Sequence, residues 1–152
     1  MGVEIEDAMK PWFFRHHDID LIRYVLKHRP LCSPTLIHLL YLIDREVCLK
    51  YGRYMFNWEM THSGPSSSDV LDIINNMVKY RTVFPNYELG FIIYEHKSIA
   101  PITLPDELRE IADRVLDAWG RKNLDELVSY VQSLDEIKNS KQGELLLCRP
   151  RK

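Results

Sequence analysis

The stretch that decides the fold is SPTLIHLLYLIDREVCLKYG, residues 33–52. Proline at its second position suits the first turn of a helix, where the missing N–H costs nothing, and Ser33 can cap that turn. Gly52 can take the left-handed conformation that ends a helix. Between them, the run from Leu36 to Ile43 is apolar nearly all round, which predicts a helix in the middle of the fold. The run is too short to span a bilayer.

Helical periodicity recurs on both sides of this central segment. Apolar residues at helical spacing predict a helix over 18–29, which Pro30 ends. The S-x-x-D pattern of Ser66 and Asp69 predicts a cap for a further helix that continues to about Val78. Toward the end of the chain, two more helices are predicted, the first ending at Gly120 and the second capped by Asn123.

Two segments between the helices are typical of strands. YMFNWEMTH (54–62) alternates and precedes a Gly64-Pro65 turn, and ELGFIIYE (88–95) follows a turn at Pro85-Asn86. The sequence therefore predicts a predominantly α-helical α+β fold, with about five helices and a small antiparallel sheet of two or three strands. We divide it into an N-terminal arm (1–17), one globular domain (18–135) and a C-terminal tail or short strand (136–152).

Charge and cysteine usage narrow the class of protein. A formal net charge of −2 gives no overall attraction to nucleic acid or anionic membrane. Cys32, Cys48 and Cys148 are odd in number and lack CxxC spacing, which argues against a disulfide framework and against a thiolate zinc site. The N-terminal MGVEIEDAMK does not resemble a secretory signal. We therefore expect free thiols in a cytoplasmic protein.

The stretch MTHSGPSSSDVLDII (60–74) holds a histidine and several serines, which raises the question of nucleophilic catalysis. A serine nucleophile needs a base in reach and an oxyanion hole, and the G-x-S-x-G pattern is missing. His62 precedes the serines at the end of a predicted strand, and Ser66 already has a role as a helix cap. The stretch thus favours a turn and a cap over an active site.

Metal and cofactor motifs are also missing from the sequence. The adjacent His16-His17 pair cannot face one ion from a helix, and neither HExxH nor a glycine-rich phosphate loop occurs. We expect no catalytic residue, no metal and no cofactor.

A helix-turn-helix is the main alternative. The helices over 18–29 and 34–51 are joined by a short turn, and a following strand pair would complete a winged-helix domain. The second helix begins with leucine and isoleucine rather than with polar side chains that could read a major groove. Binding to DNA as a transcriptional regulator is therefore the second hypothesis.

Residues 36–71 resemble the SocA-like Panacea domain family. The resemblance rests on an LLYL core with a D-R-E continuation, a Tyr-Gly step, a short strand and a Gly-Pro step before the next helix. Residues 104–131 are similar to the closing helix pair of that family, and the likeness spans about residues 18–135. His38 stands where the family commonly has lysine. The matching positions are Leu39, Leu40, Tyr41, Leu42, Asp44, Arg45, Glu46, Tyr51, Gly52, Gly64 and Pro65.

The resemblance implies a protein-interaction function without catalysis. Proteins of this family act as antitoxins that neutralise a partner toxin by direct contact, and one role in the family is that of an adaptor that delivers the toxin to a protease. Aromatic and arginine side chains dominate the energetics of interfaces. We expect the partner to bind around the Gly-Pro step, at Asp44, Arg45, Tyr54, Trp58, His62, Gly64, Pro65 and Ser66.

The C-terminal sequence KNSKQGELLLCRPRK (138–152) predicts either a final strand or an extended arm. Its three leucines, Leu145 to Leu147, would form an association patch if they were exposed, and a homodimer is the corresponding alternative.

Overall fold

The structure, a computed structural model, describes residues 6–88 and 90–149. This part of the chain is a mainly helical α+β fold, which confirms the predicted fold class. After a 3₁₀ turn at Asp7–Met9, the helices are α1 Lys10–Arg15, α2 Asp18–His28, α3 Ser33–Tyr51, α4 Ser68–Lys79, α5 Asp106–Trp119, α6 Leu124–Ser133 and α7 Asp135–Lys138. The strands are β1 Leu31–Cys32, β2 Glu59–Thr61, β3 Gly64–Ser66, β4 Val83–Glu88 and β5 Phe91–His96.

Helix α3 is the centre of the molecule, as its sequence predicts. Residues 36–43 are all buried, and the helix contacts α1, α2, α5 and α6. Gly52 ends the helix at φ 86°, in the left-handed region. The expected cap by Ser33 is wrong, because Ser33 already lies in the first turn and the preceding Cys32 makes no capping hydrogen bond. Among the helices of the described residues, none is long and apolar enough to cross a membrane.

The caps of two other helices agree with the sequence to different degrees. Asn123 caps α6, since its side chain accepts a hydrogen bond from Glu126 N–H at 2.9 Å, as expected. Helix α4 is capped by Ser67, which accepts from Val70 N–H at 3.3 Å, so the cap lies one residue after the predicted Ser66.

Both sheets are antiparallel. One has the strand order β1-β5-β4, and the other is the β2–β3 hairpin, in which Glu59 pairs with Ser66 and Thr61 with Gly64. The helices surround the first sheet, with α2 and α3 against β5 and α4 against β4.

Several strand boundaries differ from the prediction. Residues 54–58 are not a strand, and Gly64-Pro65 lies in β3, while the hairpin turn is at His62-Ser63. Pro85-Asn86 is not a turn but the middle of β4, a strand that the sequence pattern does not predict. Proline is tolerated there because β4 is at the edge of its sheet and pairs with β5 alone.

The end of the chain forms an extended segment, the C-terminal arm (residues 143–149), along the free edge of β2. Gly143 N–H donates to Met60 O, Met60 N–H to Glu144 O, and Leu146 N–H to Trp58 O, each at 2.8 Å. Leu146 is buried, while Leu145 and Leu147 are each 68% exposed. The three leucines therefore do not form one exposed patch, because alternate side chains of an extended segment point to opposite sides.

A disulfide joins the C-terminal arm to the core. Cys48 on α3 and Cys148 are bonded, with their Cα atoms 5.7 Å apart, while Cys32 is free. The expectation of free thiols is thus wrong for two of the three cysteines. Their separation of 100 residues hides the pairing in the sequence, since the fold alone brings the arm to α3.

Candidate functional site

The candidate site is the β2–β3 hairpin together with the residues that hold it against α3. His62 and Ser63 form its turn and are exposed. Thr61 Oγ1 donates to Gly64 O at 2.8 Å and accepts from Ser63 N–H at 3.2 Å, so this hydroxyl forms both of its hydrogen bonds within the turn. The turn of the hairpin is thus exposed, while Gly64 and Pro65 of β3 are buried.

Asp44 fixes the loop that leads into the hairpin. Its side chain is fully buried on α3. Oδ1 accepts from Met55 N–H at 2.7 Å, and Oδ2 accepts from Phe56 N–H at 2.9 Å and from Trp58 Nε1–H at 2.8 Å. One carboxylate therefore satisfies two backbone groups and an indole that would otherwise be buried without partners.

The environment of Asp44 also changes its acidity. Burial, the strongest influence, raises its pKa to about 7, and the three donated hydrogen bonds oppose that rise. A carboxyl group in an unfolded chain has a pKa of about 3.9. Between these two pH values the folded chain binds more protons than the unfolded chain does.

We expect Asp44 to make stability depend on pH. Its contribution is present in full below about pH 3.9 and is lost as the pH rises through about 7. Asp44→Asn mimics the protonated form and does not titrate. The free energy of unfolding is measured in urea from acidic to neutral pH. As the pH rises, the wild type should lose stability relative to this variant, and the difference in free energy between the two should stop changing above about pH 7. An unchanged difference across that range would contradict the raised pKa.

Arg45 and Tyr54 are neighbours of the C-terminal arm. Arg45 Nε donates to Glu136 Oε1 at 2.5 Å, and both side chains are about one fifth exposed. Tyr54 is half-buried, and its hydroxyl lies 3.2 Å from that of Tyr41. Both residues line a small cavity beneath Leu147 of the C-terminal arm.

His38 lies between α3 and the hairpin and is only 3% exposed. Its Nδ1 is 2.7 Å from the carbonyl oxygen of Pro34, which can only accept, so Nδ1 carries the proton. Burial lowers the pKa of His38, which favours the neutral ring. Nε2 is then an acceptor, and in the described residues it is the buried side-chain polar atom that has no partner.

Gly64 faces His38 at close range. Gly64 has φ 111°, and a Cβ built on it would lie 3.2 Å from His38 Nε2. The backbone conformation therefore favours glycine here, and a Cβ would in addition press on the imidazole.

We predict that Gly64→Ala destabilises the chain by about 2–3 kcal/mol, because backbone strain and overpacking add. Gly52→Ala is the matched control, since Gly52 also has a positive φ but a Cβ added there would meet nothing within 4 Å. That control should lose only about 1 kcal/mol. The measurement is the free energy of unfolding in urea, and equal losses would exclude the His38 contact as a cause.

The predicted partner-binding residues separate into three groups. Asp44 and Trp58 are buried between α3 and the loop, so they support the surface from inside and offer no contact area. His62 and Ser66 lie at the hairpin, together with the buried Gly64 and Pro65. Arg45 and Tyr54 lie under the arm.

Serine hydroxyls and a histidine come close to one another at the hairpin. His38 and Ser66 line one cavity of about 140 Å³, yet His38 Nε2 accepts no hydrogen bond from any serine. A serine nucleophile requires such a base. In residues 6–88 and 90–149, no three His, Cys, Asp or Glu side chains are grouped so that they could hold a metal ion.

Sequence reasoning missed three features of this site: the buried role of Asp44, the approach of His38 to Gly64, and the contribution of Glu136. A polar residue within an otherwise apolar helix was the available signal for the first two, since such a residue needs a partner when buried.

Comparison of the chain with protein-family models, with curated proteins and with solved structures finds no match. The function is therefore inferred from the geometry of the chain itself.

Proposed function

We propose that this chain is a protein-interaction module that binds a partner protein through the β2–β3 hairpin and neutralises it as an antitoxin neutralises a toxin. The observation that carries the proposal is a hairpin with an exposed turn, next to a loop that the buried Asp44 holds through three hydrogen bonds. In this proposal the chain acts without catalysis, metal or cofactor.

A preorganised loop is well suited to binding a protein. Asp44 holds the approach to β2 through three hydrogen bonds, and Thr61 holds the turn. Binding to a surface that is already ordered avoids the entropy loss of ordering a flexible one. The partner would contact the members of the predicted set that are accessible at the hairpin, which are His62 and Ser66.

We also propose that the chain acts as an adaptor that delivers the bound toxin to a protease. A further proposal is that the chain is located in the cytoplasm. Disulfides in the cytoplasm are mostly transient or redox-sensing. Cys48 and Cys148 should accordingly be at least partly reduced in cells whose thiols are trapped rapidly with an alkylating reagent. A pair that is oxidised throughout would place the chain in an oxidising compartment.

The test of the antitoxin role uses a small gene that neighbours this one. Expressed alone it should arrest growth, and expressed with this chain it should not. His62→Ala and Ser66→Ala should weaken the protection, whereas Asn75→Ala on the exposed side of α4 should not. Growth that is unaffected in both cases would reject the antitoxin role.

A second function, binding to DNA, is favoured by the order of the elements. Helix α2, strand β1, helices α3 and α4, and strands β4 and β5 follow one another in the order of a winged-helix domain, with the β2–β3 hairpin inserted. The sheet order β1-β5-β4 fits that arrangement. The recognition helix would then be α4 rather than the buried α3.

The charge of α4 makes this function the weaker of the two. Its exposed side carries Asn75 and Asn76, which could read bases. It also carries Asp72, and Lys79 is its single basic residue. Binding to DNA depends mainly on basic contacts to phosphates. A mobility-shift assay on the chain's own promoter at two salt concentrations tests it, and specific binding that weakens with salt and with Asn76→Ala would support it.

A further inference from the structure

We propose that the C-terminal arm is a releasable cover over a strand-docking groove, and that reduction of the Cys48–Cys148 bond opens this groove to an extended segment of a partner protein. The inference goes beyond the proposed function and shares with it only the assumption that the partner is a protein.

The arm itself shows how the groove binds an extended chain. Three backbone hydrogen bonds of 2.8 Å join it to Met60 of β2 and to Trp58, the residue before that strand, and Glu59 and Leu145 form a bridge. Peptides recognised by addition to a sheet edge gain affinity from such bonds and specificity from alternate side chains. Leu146 is the inserted side chain, at 6% exposure, between two leucines that are each 68% exposed.

Few other contacts hold the arm. Residues 139–142, which join it to α7, are mostly exposed, and Gly143 has φ 90° with open space around it. A cavity of about 410 Å³ lies between the arm and the α3–α7 side, lined in part by Arg45, Glu136 and Leu147. Loose packing of this kind allows local opening. The disulfide is the covalent tether of the arm, and once it is reduced only the backbone hydrogen bonds and the buried Leu146 hold the arm in the groove.

Reduction would proceed at the more accessible sulfur. Cys148 is partly exposed, whereas Cys48 is buried. A thiolate of a cellular dithiol attacks Cys148 Sγ, and Cys48 leaves as a thiolate that takes up a proton. The second thiol of the reductant then releases Cys148, so that the protein gains two thiols and the reductant becomes a disulfide.

The partner segment is defined by the arm that it replaces. It is extended, and it carries a leucine or similar aliphatic side chain at the position of Leu146. Its neighbours on either side face solvent, as Leu145 and Leu147 do, so their identity should matter little.

The test uses the full chain with Cys32→Ser and Cys148→Ser, which leaves Cys48 as its single thiol. The probes are peptides of residues 141–149 whose cysteine is activated as a mixed disulfide with thionitrobenzoate. Cys48 attacks the peptide sulfur, and the released thionitrobenzoate is measured by absorbance. The native peptide and its L145K form should react at the same rate, and the L146K form about tenfold more slowly, because that side chain must be buried.

Two outcomes would overturn the proposal. Equal rates for all three peptides would show that no side-chain groove exists. No reaction of any peptide would show that the arm stays in place without the disulfide. As a second readout on the wild type, reduction should speed hydrogen exchange of the Met60 and Leu146 amides by about tenfold or more beyond any change at Leu40, whose exchange reports the global stability of the core. Equal acceleration at all three amides, or none, would likewise overturn it. Since no toxin is used, these results are independent of the antitoxin test.

Discussion

Asp44→Ala should be among the most damaging single substitutions in this chain, with an expected loss of about 3–5 kcal/mol. The substitution leaves the N–H groups of Met55 and Phe56 and the indole N–H of Trp58 without acceptors in a buried site. It also leaves a cavity beside the fully buried Trp58. Since a domain has a total stability of only about 5–15 kcal/mol, the variant should be close to unfolding.

Chemical denaturation followed by tryptophan fluorescence measures this loss. At acidic pH, where the raised pKa keeps Asp44 protonated, Asp44→Asn retains one acceptor oxygen and should lose less stability than Asp44→Ala. Asp72→Ala removes a carboxylate from the exposed side of α4 and should change stability by less than about 0.5 kcal/mol. A similar small effect of Asp44→Ala would contradict the buried hydrogen-bond network.

The second large effect is expected from loss of the disulfide. Cys48→Ser, or reduction of the wild type, should lower the free energy of unfolding by about 2–5 kcal/mol, because the bond closes a long loop and restricts the unfolded chain. The separation of Cys48 and Cys148 is 100 residues. Denaturation of the oxidised and reduced chains under otherwise identical conditions gives the difference directly.

Cys32→Ser is the matched control for this prediction. Cys32 is free, and its sulfur lies 3.0 Å from Thr35 Oγ1, a contact that a serine hydroxyl can replace. The variant should remain within about 0.5 kcal/mol of the wild type and should keep its sensitivity to reductant. Equal stability of oxidised and reduced wild type would show that the bond does not constrain the chain.

The helices are largely predictable from the sequence because their signals are local. The apolar run of α3, Pro30 after α2 and Asn123 before α6 each act within one or two turns. The strands are less predictable. When the sequence is read alone, Pro85 suggests a turn. Proline is acceptable in β4 because β4 is an edge strand, and edge position is a property of the sheet and not of the segment.

The candidate site is only partly predictable for the same reason. The sequence predicts one strand and a turn in this region but not β3, which contains Gly64 and Pro65. The access of each side chain depends on tertiary packing, which the sequence does not show. Trp58 and Asp44 have the residue types of interface anchors or of core residues. The structure places both inside. Equally, no local pattern connects Cys148 with Cys48, because the connection is made by an arm that crosses the molecule.

The bond between Cys48 and Cys148 also turns most of the polypeptide into a covalent ring that includes the β2–β3 hairpin, α4, both long strands and the last three helices. A protease that cuts once within this ring, for instance at the exposed Ile99, leaves two pieces that cannot diffuse apart. Such a nicked molecule should migrate as one species in non-reducing electrophoresis and separate into fragments only after a thiol is added. Release of the two pieces after a single cut would accordingly require a reductant as well as a peptidase.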